Sequence, residues 1–168
     1  MSPDSNDPYR VLFVCLGNIC RSPLAEGVFR HLVQEAGLDH AYEADSAGTG
    51  AWHAGEDPDP RSQAVAGKHG VSLQGPARKV EMDDFSNFDL ILAMDQDNRR
   101  NLEKLGSRAP GHAQLRLLRD FDPEAQSGAE VPDPYYGGPD GFDQAYELVR
   151  RSCEHLLHEL EDGGLSGE

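Results

Sequence analysis

The sequence predicts a single α/β domain, in which a four-stranded parallel sheet is flanked by helices on both faces. Short apolar runs typical of buried strands alternate along the chain with longer segments of helical periodicity, and this alternation is typical of a parallel sheet with crossover helices. A length of 168 residues suits one hydrophobic core and is too short for two comfortable domains. We expect the domain to occupy residues 10–162, between a disordered lead-in of residues 1–9 and a flexible tail of residues 163–168.

Four strands are predicted, and the first has the clearest signal. Residues 11–14 form a short apolar run that stops at a cysteine. The other predicted strands are a segment that leaves Tyr42 for a glycine-rich loop near Gly50, the apolar run 88–94 and the partly alternating run 113–118. In open flavodoxin-like or Rossmann-like sheets, ligands bind outside the carboxyl ends of the strands. We therefore expect a site where the first strand ends.

The predicted helices carry recognisable start and stop signals. The first helix is expected to have Pro23 in its first turn and to end near Glu35. Asp59 followed by Pro60, and later Asp95, are typical N-caps for the next two helices. The predicted ranges are 59–69, 96–105 and 142–160, and a long loop rich in Asp, Pro and Gly covers 119–141.

Composition excludes several classes of function. The formal net charge of −15 argues against a nucleic-acid partner. No apolar run approaches the roughly 20 residues of a membrane span, and the start of the chain lacks the features of a secretory signal. We expect a cytoplasmic monomer with no membrane partner. The three cysteines and seven scattered histidines show neither a disulfide framework nor metal-ligand spacing, so no cofactor or metal is expected.

The residues that carry chemistry cluster between the first strand and the first helix. A strand, a tight loop with Gly17 and Asn18, and a helix together aim consecutive N–H groups at one anion. At such a helix N-terminus the thiolate of Cys15 is stabilised. Arg21 adds a charged planar fork that can grip two phosphate oxygens, and Ser22 can donate its hydroxyl to the sulfur. The pattern predicts a nucleophile beside a site for inorganic phosphate or another oxyanion.

The string from Val11 to Pro23 resembles the signature of the low-molecular-weight protein tyrosine phosphatases. The resemblance runs from about Arg10 to the last helix and is weakest at residues 73–78. It implies a phosphocysteine mechanism, in which Cys15 attacks phosphorus and Arg21 binds the phosphoryl oxygens. The remaining loop residues expected to bind or support the phosphate are Leu16, Gly17, Asn18, Ile19, Cys20 and Ser22.

An Asp-Pro-Tyr-Tyr string in the long loop supplies a second group of candidates. Expelling an aryloxide from phosphorus needs a proton, and an aspartic acid on a loop can supply it. The resemblance places this general acid at Asp133 and implies that it then acts as the base that activates water. Tyr135, Tyr136 and Trp52 are candidates for an aromatic wall around the substrate ring. A deep site with such walls favours phosphotyrosine over the shorter phosphoserine.

The resemblance also implies supporting roles for residues outside the catalytic group. Asn18, Ser46 and His69 match positions that form a hydrogen-bonded support beneath the loop in this family, with Asn18 in left-handed geometry and its side chain held by the other two. Cys20 shares the loop with Cys15, and the family is known to capture an oxidised nucleophile as a disulfide between two such cysteines. We expect Cys153 to be a small core residue.

Three other functions stay open. An arsenate reductase of this fold needs two further cysteines after the second helix, and none lies between Arg78 and Leu105. A protein arginine phosphatase resembles this chain closely, but it has threonine and phenylalanine where Ile19 and Tyr135 stand here. A non-catalytic phosphate-binding module would lack the nucleophile or the acid, and both are present. We expect a phosphotyrosine-containing protein as the partner, and a tyrosine kinase is a candidate because bacterial members of the family act on such kinases.

Overall fold

The computed structural model describes residues 7–135, 138 and 140–163. Its sheet has four strands in the order β2-β1-β3-β4, and all three pairings are parallel. The strands are β1 Tyr9–Cys15, β2 Tyr42–Gly48, β3 Leu90–Ala93 and β4 Gln114–Leu117. The chain runs outward from β1 to β2 and then returns to β3 on the other side, so strand order switches beside the carboxyl end of β1. The predicted parallel sheet is confirmed, and its switch point lies where Cys15 ends the first strand.

The described residues form five α-helices, and the four that were predicted have bounds close to those expected. The five helices are α1 Arg21–Glu35, α2 Pro60–Lys68, α3 Asp84–Asn87, α4 Gln96–Gly106 and α5 Asp140–Glu161, and a 3-10 helix covers Leu118–Phe121. The side chains of Asp59 and Asp95 accept hydrogen bonds from backbone N–H groups of α2 and α4, as expected of N-caps. The sequence did not predict α3 or the 3-10 helix, because four residues are too short to show helical periodicity.

Apolar side chains alternate between two faces of the sheet, and each face has its own core. Val11 and Phe13 of β1 point to one side, where they pack with residues of α1, α2 and α5. Leu12 and Val14 point to the other side, which is covered by α3 and α4. Cys153 on α5 is fully buried in the first core, as predicted. The sheet is therefore covered on both faces, which leaves its edge at the strand ends available for a site.

The start of the domain differs by one residue from the predicted boundary. Tyr9 belongs to β1, where it is in register with Tyr42 of β2, although the sequence prediction placed it in the disordered lead-in. The reason is that β1 continues its pairing with β2 for two residues before its apolar run begins. Residues 1–6 of that lead-in and residues 164–168 of the predicted tail lie outside the described residues. Among the described helices, none combines the length and the hydropathy that a transmembrane span requires.

Candidate active site

The loop between β1 and α1 is held open by hydrogen bonds to its carbonyl groups. The carbonyl oxygens of Cys15 and Leu16 accept from the N–H groups of the segment after β2, each at 2.9 Å. The Ile19 carbonyl accepts from the N–H of Asp59 at 2.8 Å, and the Cys20 carbonyl accepts from the Ser62 hydroxyl at 3.0 Å. Because these carbonyls are drawn outward, the N–H groups between them turn toward the inside of the loop.

Two backbone features allow this curvature. Asn18 has a φ of 59°, and among the described residues it is the one non-glycine residue with positive φ; asparagine tolerates this left-handed geometry better than most residues. Gly48 at the end of β2 packs so closely that a Cβ there would lie 2.8 Å from the Leu16 carbonyl oxygen. Within the part of the chain that the structure describes, the N–H groups of residues 16–20 donate no hydrogen bond. They form a ready site for an oxyanion.

Cys15, the predicted nucleophile, lies at the start of this loop. Cys15 is buried, and its Sγ is 3.0 Å from the Ser22 Oγ. Ser22 Oγ accepts a hydrogen bond from the Asn18 side-chain amide at 2.8 Å. This bond occupies a lone pair of the hydroxyl, and its proton can point at the sulfur or at the Ala47 carbonyl oxygen, which is 3.4 Å away. A thiolate on Cys15 would thus have one hydroxyl donor in addition to the helix N-terminus.

A buried network continues from Asn18 away from the sulfur. The same amide donates to Ser46 Oγ at 3.0 Å, and Ser46 donates to a Glu26 carboxylate oxygen at 2.7 Å. The side-chain oxygen of Asn18, Oδ1, accepts from the backbone N–H of Arg78 at 2.9 Å. Burial raises the pKa of Glu26, and the hydrogen bonds from Ser46 and Arg30 oppose that shift. The side chain that sets the left-handed turn of the loop is therefore fixed on all sides before any ligand binds.

Arg21 is buried to 98% and is fixed by one end of its guanidinium group. Nη1 donates to Asp95 Oδ2 at 2.7 Å and to the Val131 carbonyl at 2.9 Å. Burial alone would lower the pKa of Arg21, but the negative charges of Cys15, Asp95 and Asp133 raise it. Nε has no hydrogen-bond partner among the described residues. The fork therefore keeps donors for an anion in the loop.

Asp133 lies across the cleft from the sulfur-bearing loop. Its Oδ1 accepts from the Tyr135 N–H at 3.0 Å, which holds the carboxyl in a turn. Its Oδ2 is 3.5 Å from Arg21 Nη2. The side chain is 37% exposed, so the carboxyl can contact both a ligand and water. This position suits a group that exchanges protons with a substrate bound to Arg21.

A cleft of about 400 Å³ opens above the loop. Its walls include Leu16, Trp52, His53 and Tyr135, and its floor is formed by the loop together with Arg21. Trp52 is 72% exposed. Its ring lies over Gly50, where a Cβ would be 1.6 Å from the indole. Two of the three predicted wall residues, Trp52 and Tyr135, line this cleft; Tyr136 lies outside the described residues.

Comparison with known proteins decides the family. Residues 10–164 match the family described as low molecular weight phosphotyrosine protein phosphatase. This chain belongs to that family. The phosphatase is 51% identical over 150 residues to a low molecular weight protein-tyrosine-phosphatase of Streptomyces coelicolor, and the match covers 89% of this chain and 92% of the relative.

Solved structures agree with this assignment. A protein tyrosine phosphatase from Entamoeba histolytica matches the fold with a TM-score of 0.87 at 40% identity, over 94% of this chain and 99% of that one. A protein described as the Drosophila arginine phosphatase matches with a TM-score of 0.84 at 36% identity, over 90% and 97% of the two chains. The fold prediction is thus confirmed by structures of the family.

One predicted site residue of the phosphatase lies elsewhere. His69 was expected beside Asn18 and Ser46, but it is exposed at the C-terminal end of α2 and stacks on Tyr146 with ring centroids 3.8 Å apart. A backbone group holds the Asn18 side chain instead, because the Arg78 N–H donates to Asn18 Oδ1. His69 is therefore corrected to a surface residue that packs α2 against α5.

Cys20 lines the same cleft as Cys15, and both are free thiols. Burial raises the pKa of Cys20 to about 12, and the negative charges of Asp59, Cys15 and Asp133 add to this shift. Cys20 therefore stays a neutral thiol at ordinary pH, and its carbonyl is bound by the Ser62 hydroxyl. The two cysteines of the loop differ in environment as well as in position.

Sequence reasoning missed several residues of the site. Asp95 was predicted only as a helix cap, yet it also holds Arg21. It lies two residues beyond the end of β3, and side chains at the carboxyl ends of neighbouring strands meet at one edge, so this signal was available. Glu26 and the Arg78 N–H had no such signal, because one is a helical carboxylate and the other a backbone group. His53 was unassigned and lines the cleft beside Gly17.

Proposed function

We propose that this phosphatase hydrolyses phosphotyrosine, and small aryl phosphates, through a phosphocysteine intermediate on Cys15. The observation that carries the proposal is the set of loop N–H groups around the sulfur, which have no partner among the described residues. Such groups, together with the Nε and Nη2 donors of Arg21, match the three oxygens of a phosphoryl group. A cysteine at the centre of that set is placed to attack phosphorus.

In the first step the Cys15 sulfur forms a bond to phosphorus as the bond to the phenolic oxygen breaks. Asp133 gives its proton to that leaving oxygen, which it reaches from the open side of the cleft. Ser22 donates a hydrogen bond to the sulfur, which stabilises the negative charge of the thiolate before it attacks. Arg21 and the loop N–H groups bind the equatorial oxygens, over which negative charge is spread in the transition state.

In the second step water attacks the phosphocysteine. The Asp133 carboxylate, now ionised, takes the proton of that water, and the bond between sulfur and phosphorus breaks to release inorganic phosphate. One carboxyl group thus serves as acid and then as base. No redox partner takes part in these two steps.

The walls of the cleft favour an aromatic substrate. Trp52 and Tyr135 lie on its sides, and aromatic contacts of this kind contribute about 0.5–1.5 kcal/mol beyond area burial. A phosphotyrosine side chain is long enough to bring its phosphorus to a buried sulfur. We propose a phosphotyrosine-containing protein as the substrate, with a tyrosine kinase as one candidate.

Phosphoarginine is the second candidate substrate. The observation that favours it is the similarity to the protein described as the Drosophila arginine phosphatase. Ile19, on the floor of the cleft, and Tyr135, on its side, argue for the aromatic ester. The two substrates are separated by one experiment. Phosphate release is measured from a phosphotyrosine peptide and from a phosphoarginine peptide of the same sequence, with chelator and reductant present, for the wild type and for Cys15→Ser.

Release from phosphotyrosine that is lost in Cys15→Ser would support the proposal. Faster release from phosphoarginine would contradict the assigned substrate but keep the nucleophile. Activity that appears only when the chelator is left out would overturn the cysteine mechanism. A cytoplasmic location and a monomeric state stay predictions, and light scattering on the purified chain tests the second.

A further inference from the structure

The start of α2 contacts both loops of the active site. Its N-cap residue Asp59 donates its N–H to the Ile19 carbonyl, and Ser62 donates its hydroxyl to the Cys20 carbonyl. These bonds fix the first turn of α2 to the phosphate loop. Arg61 lies between them in sequence and points the other way, toward the loop that carries Asp133.

Arg61 is held rigidly although it is on the surface. Its Nε and Nη2 donate to the two carboxylate oxygens of Asp59 at 3.0 and 2.9 Å. This paired hydrogen bond lowers the pKa of Asp59 and raises that of Arg61. A fork bound at two points has little freedom left, so its remaining nitrogen, Nη1, has a defined direction.

That nitrogen contacts the acid loop. Nη1 donates to the Tyr135 carbonyl at 3.1 Å, and the guanidinium carbon lies 5.1 Å from the centre of the Tyr135 ring and 4.7 Å from that of Phe142. Both distances are in the range of cation–π contacts. Tyr135 in turn donates its N–H to Asp133 Oδ1. A single residue, Tyr135, therefore connects Arg61 to the carboxyl that delivers the proton.

We propose that Arg61 is a positioning residue for the general acid: through Tyr135 it holds the Asp133 loop against the phosphate loop. The inference rests on the proposed function, because it concerns the acid of that same reaction. Proton transfer requires the acid within hydrogen-bond reach of the leaving oxygen, and small displacements of a catalytic group cost much of the rate. Asp133 is partly exposed and lies in neither a helix nor a strand. A contact from α2 that holds its loop would therefore limit the movement of its carboxyl.

The test compares two substrates that differ in their need for a proton. Phenyl phosphate has a poor leaving group and depends on the acid, whereas p-nitrophenyl phosphate has a good one and depends on it much less. Because proton transfer contributes typically 10²–10⁴-fold, we expect Arg61→Met to lower kcat/KM for phenyl phosphate by about tenfold or more. We expect a change within about twofold for p-nitrophenyl phosphate.

A double-mutant cycle separates positioning of the acid from a merely structural role. In an Asp133→Asn background there is no acid to position, so Arg61→Met should cause no further loss on phenyl phosphate. The matched control is Lys68→Met, which removes another exposed ion pair between α2 and α5, to Asp143, without contact to either loop. It should leave both substrates unchanged.

A second variant covers the case in which Arg61→Met does not fold. Asp59→Asn keeps a good N-cap and removes the charge that aims Arg61, and it should show the same selective loss in smaller measure. Equal losses on both substrates, or no loss on either, would overturn the inference. A wild type that is inactive on both substrates would instead refute the proposed function, so the two failures are distinct.

Discussion

Arg21 and Asp95 are joined by a hydrogen bond of 2.7 Å between Nη1 and Oδ2. Asp95 also accepts the Asn98 N–H at 2.8 Å through its other oxygen, which completes the cap of α4. One carboxylate therefore caps α4 and also fixes the guanidinium of Arg21. The fold and the proposed phosphate site share this group, so a change at this cap residue is expected to affect ligand binding.

Replacing Asp95 by Asn should weaken phosphate binding and catalysis together. Asn still caps the helix, but the buried guanidinium loses a charged acceptor, and hydrogen bonds to charged groups contribute about 1.5–3 kcal/mol. We expect kcat/KM to fall by about tenfold or more and the inhibition constant of inorganic phosphate to rise. The control is Asn98→Ala, which breaks the other half of the cap and should lower stability only. Equal kinetic losses in both variants would contradict the role of Asp95.

Ser46→Ala removes one of the bonds that fix the Asn18 amide. A typical hydrogen bond contributes about 0.5–1.5 kcal/mol, so we expect the affinity for phosphate to fall by about threefold to tenfold with Cys15 still present. The measurement is competitive inhibition by phosphate. Ser86→Ala serves as the control, because its hydroxyl bonds to the Pro110 carbonyl far from the loop. Unchanged affinity in Ser46→Ala would remove that residue from the support.

Gly50→Ala should displace the Trp52 side chain although Trp52 itself is not mutated. A Cβ at this position would lie 1.6 Å from the indole ring, so the ring must move. We expect KM for a phosphotyrosine peptide to rise by about twofold to tenfold, since aromatic contacts contribute about 0.5–1.5 kcal/mol. The chain has one tryptophan, so its fluorescence reports the displacement directly.

A double variant tests whether the effect of Gly50→Ala is caused by displacement of Trp52. If Gly50 acts through Trp52, then Gly50→Ala adds nothing in a Trp52→Ala background. Gly67→Ala is the matched control, because a Cβ there meets nothing within 4 Å. Additive losses in the double variant would show that Gly50 matters for another reason.

The two cysteines of the loop should differ in reactivity. Burial and nearby negative charge raise the pKa of Cys20 to about 12, so its thiol is protonated at pH 8. We expect iodoacetamide at that pH to modify Cys15 alone, with phosphate giving protection, as peptide mass spectrometry would detect. Labelling of Cys20 at a comparable rate would contradict this prediction.

Peroxide should convert the pair to a disulfide. Peroxide oxidises the Cys15 sulfur to a sulfenic acid, and the Cys20 thiol then attacks that sulfur with loss of water. We expect thiol mapping to find the bridge between the two residues and activity to return with reductant. In Cys20→Ser the same treatment should give irreversible oxidation of Cys15. Over-oxidised Cys15 in the wild type, without a bridge, would exclude this protection.

The first strand, the loop and the helix after it could be predicted because their signals are local. An apolar run, Gly17, Asn18 and Pro23 each specify a backbone geometry within a few residues. The caps at Asp59 and Asp95 were predictable for the same reason. The proposed catalytic residues were predicted from residue types together with a family resemblance, and the structure brings Cys15, Arg21 and Asp133 to one cleft.

Only part of the support was predicted from the sequence, because its contacts depend on which strands are neighbours: the bond between Asn18 and Ser46 was expected, whereas the bond between Asp95 and Arg21 was missed. The bond from Asp95 to Arg21 exists because β3 lies beside β1 in the sheet. His69 was misplaced because its position in sequence does not show which end of α2 approaches the loop. The group that holds Asn18 is the N–H of Arg78, and a backbone donor leaves no mark in the sequence. The contacts that the sequence did not predict join residues that are distant from each other in the chain.

The most direct test of the mechanism is to trap the phosphocysteine. The wild-type protein is mixed with p-nitrophenyl phosphate, quenched with acid in the steady state and measured by intact and peptide mass spectrometry. We predict a mass increase of one phosphoryl group on the peptide that contains Cys15, and none in Cys15→Ala. Turnover without any such adduct, or an adduct on another residue, would contradict the assignment of Cys15 as the nucleophile.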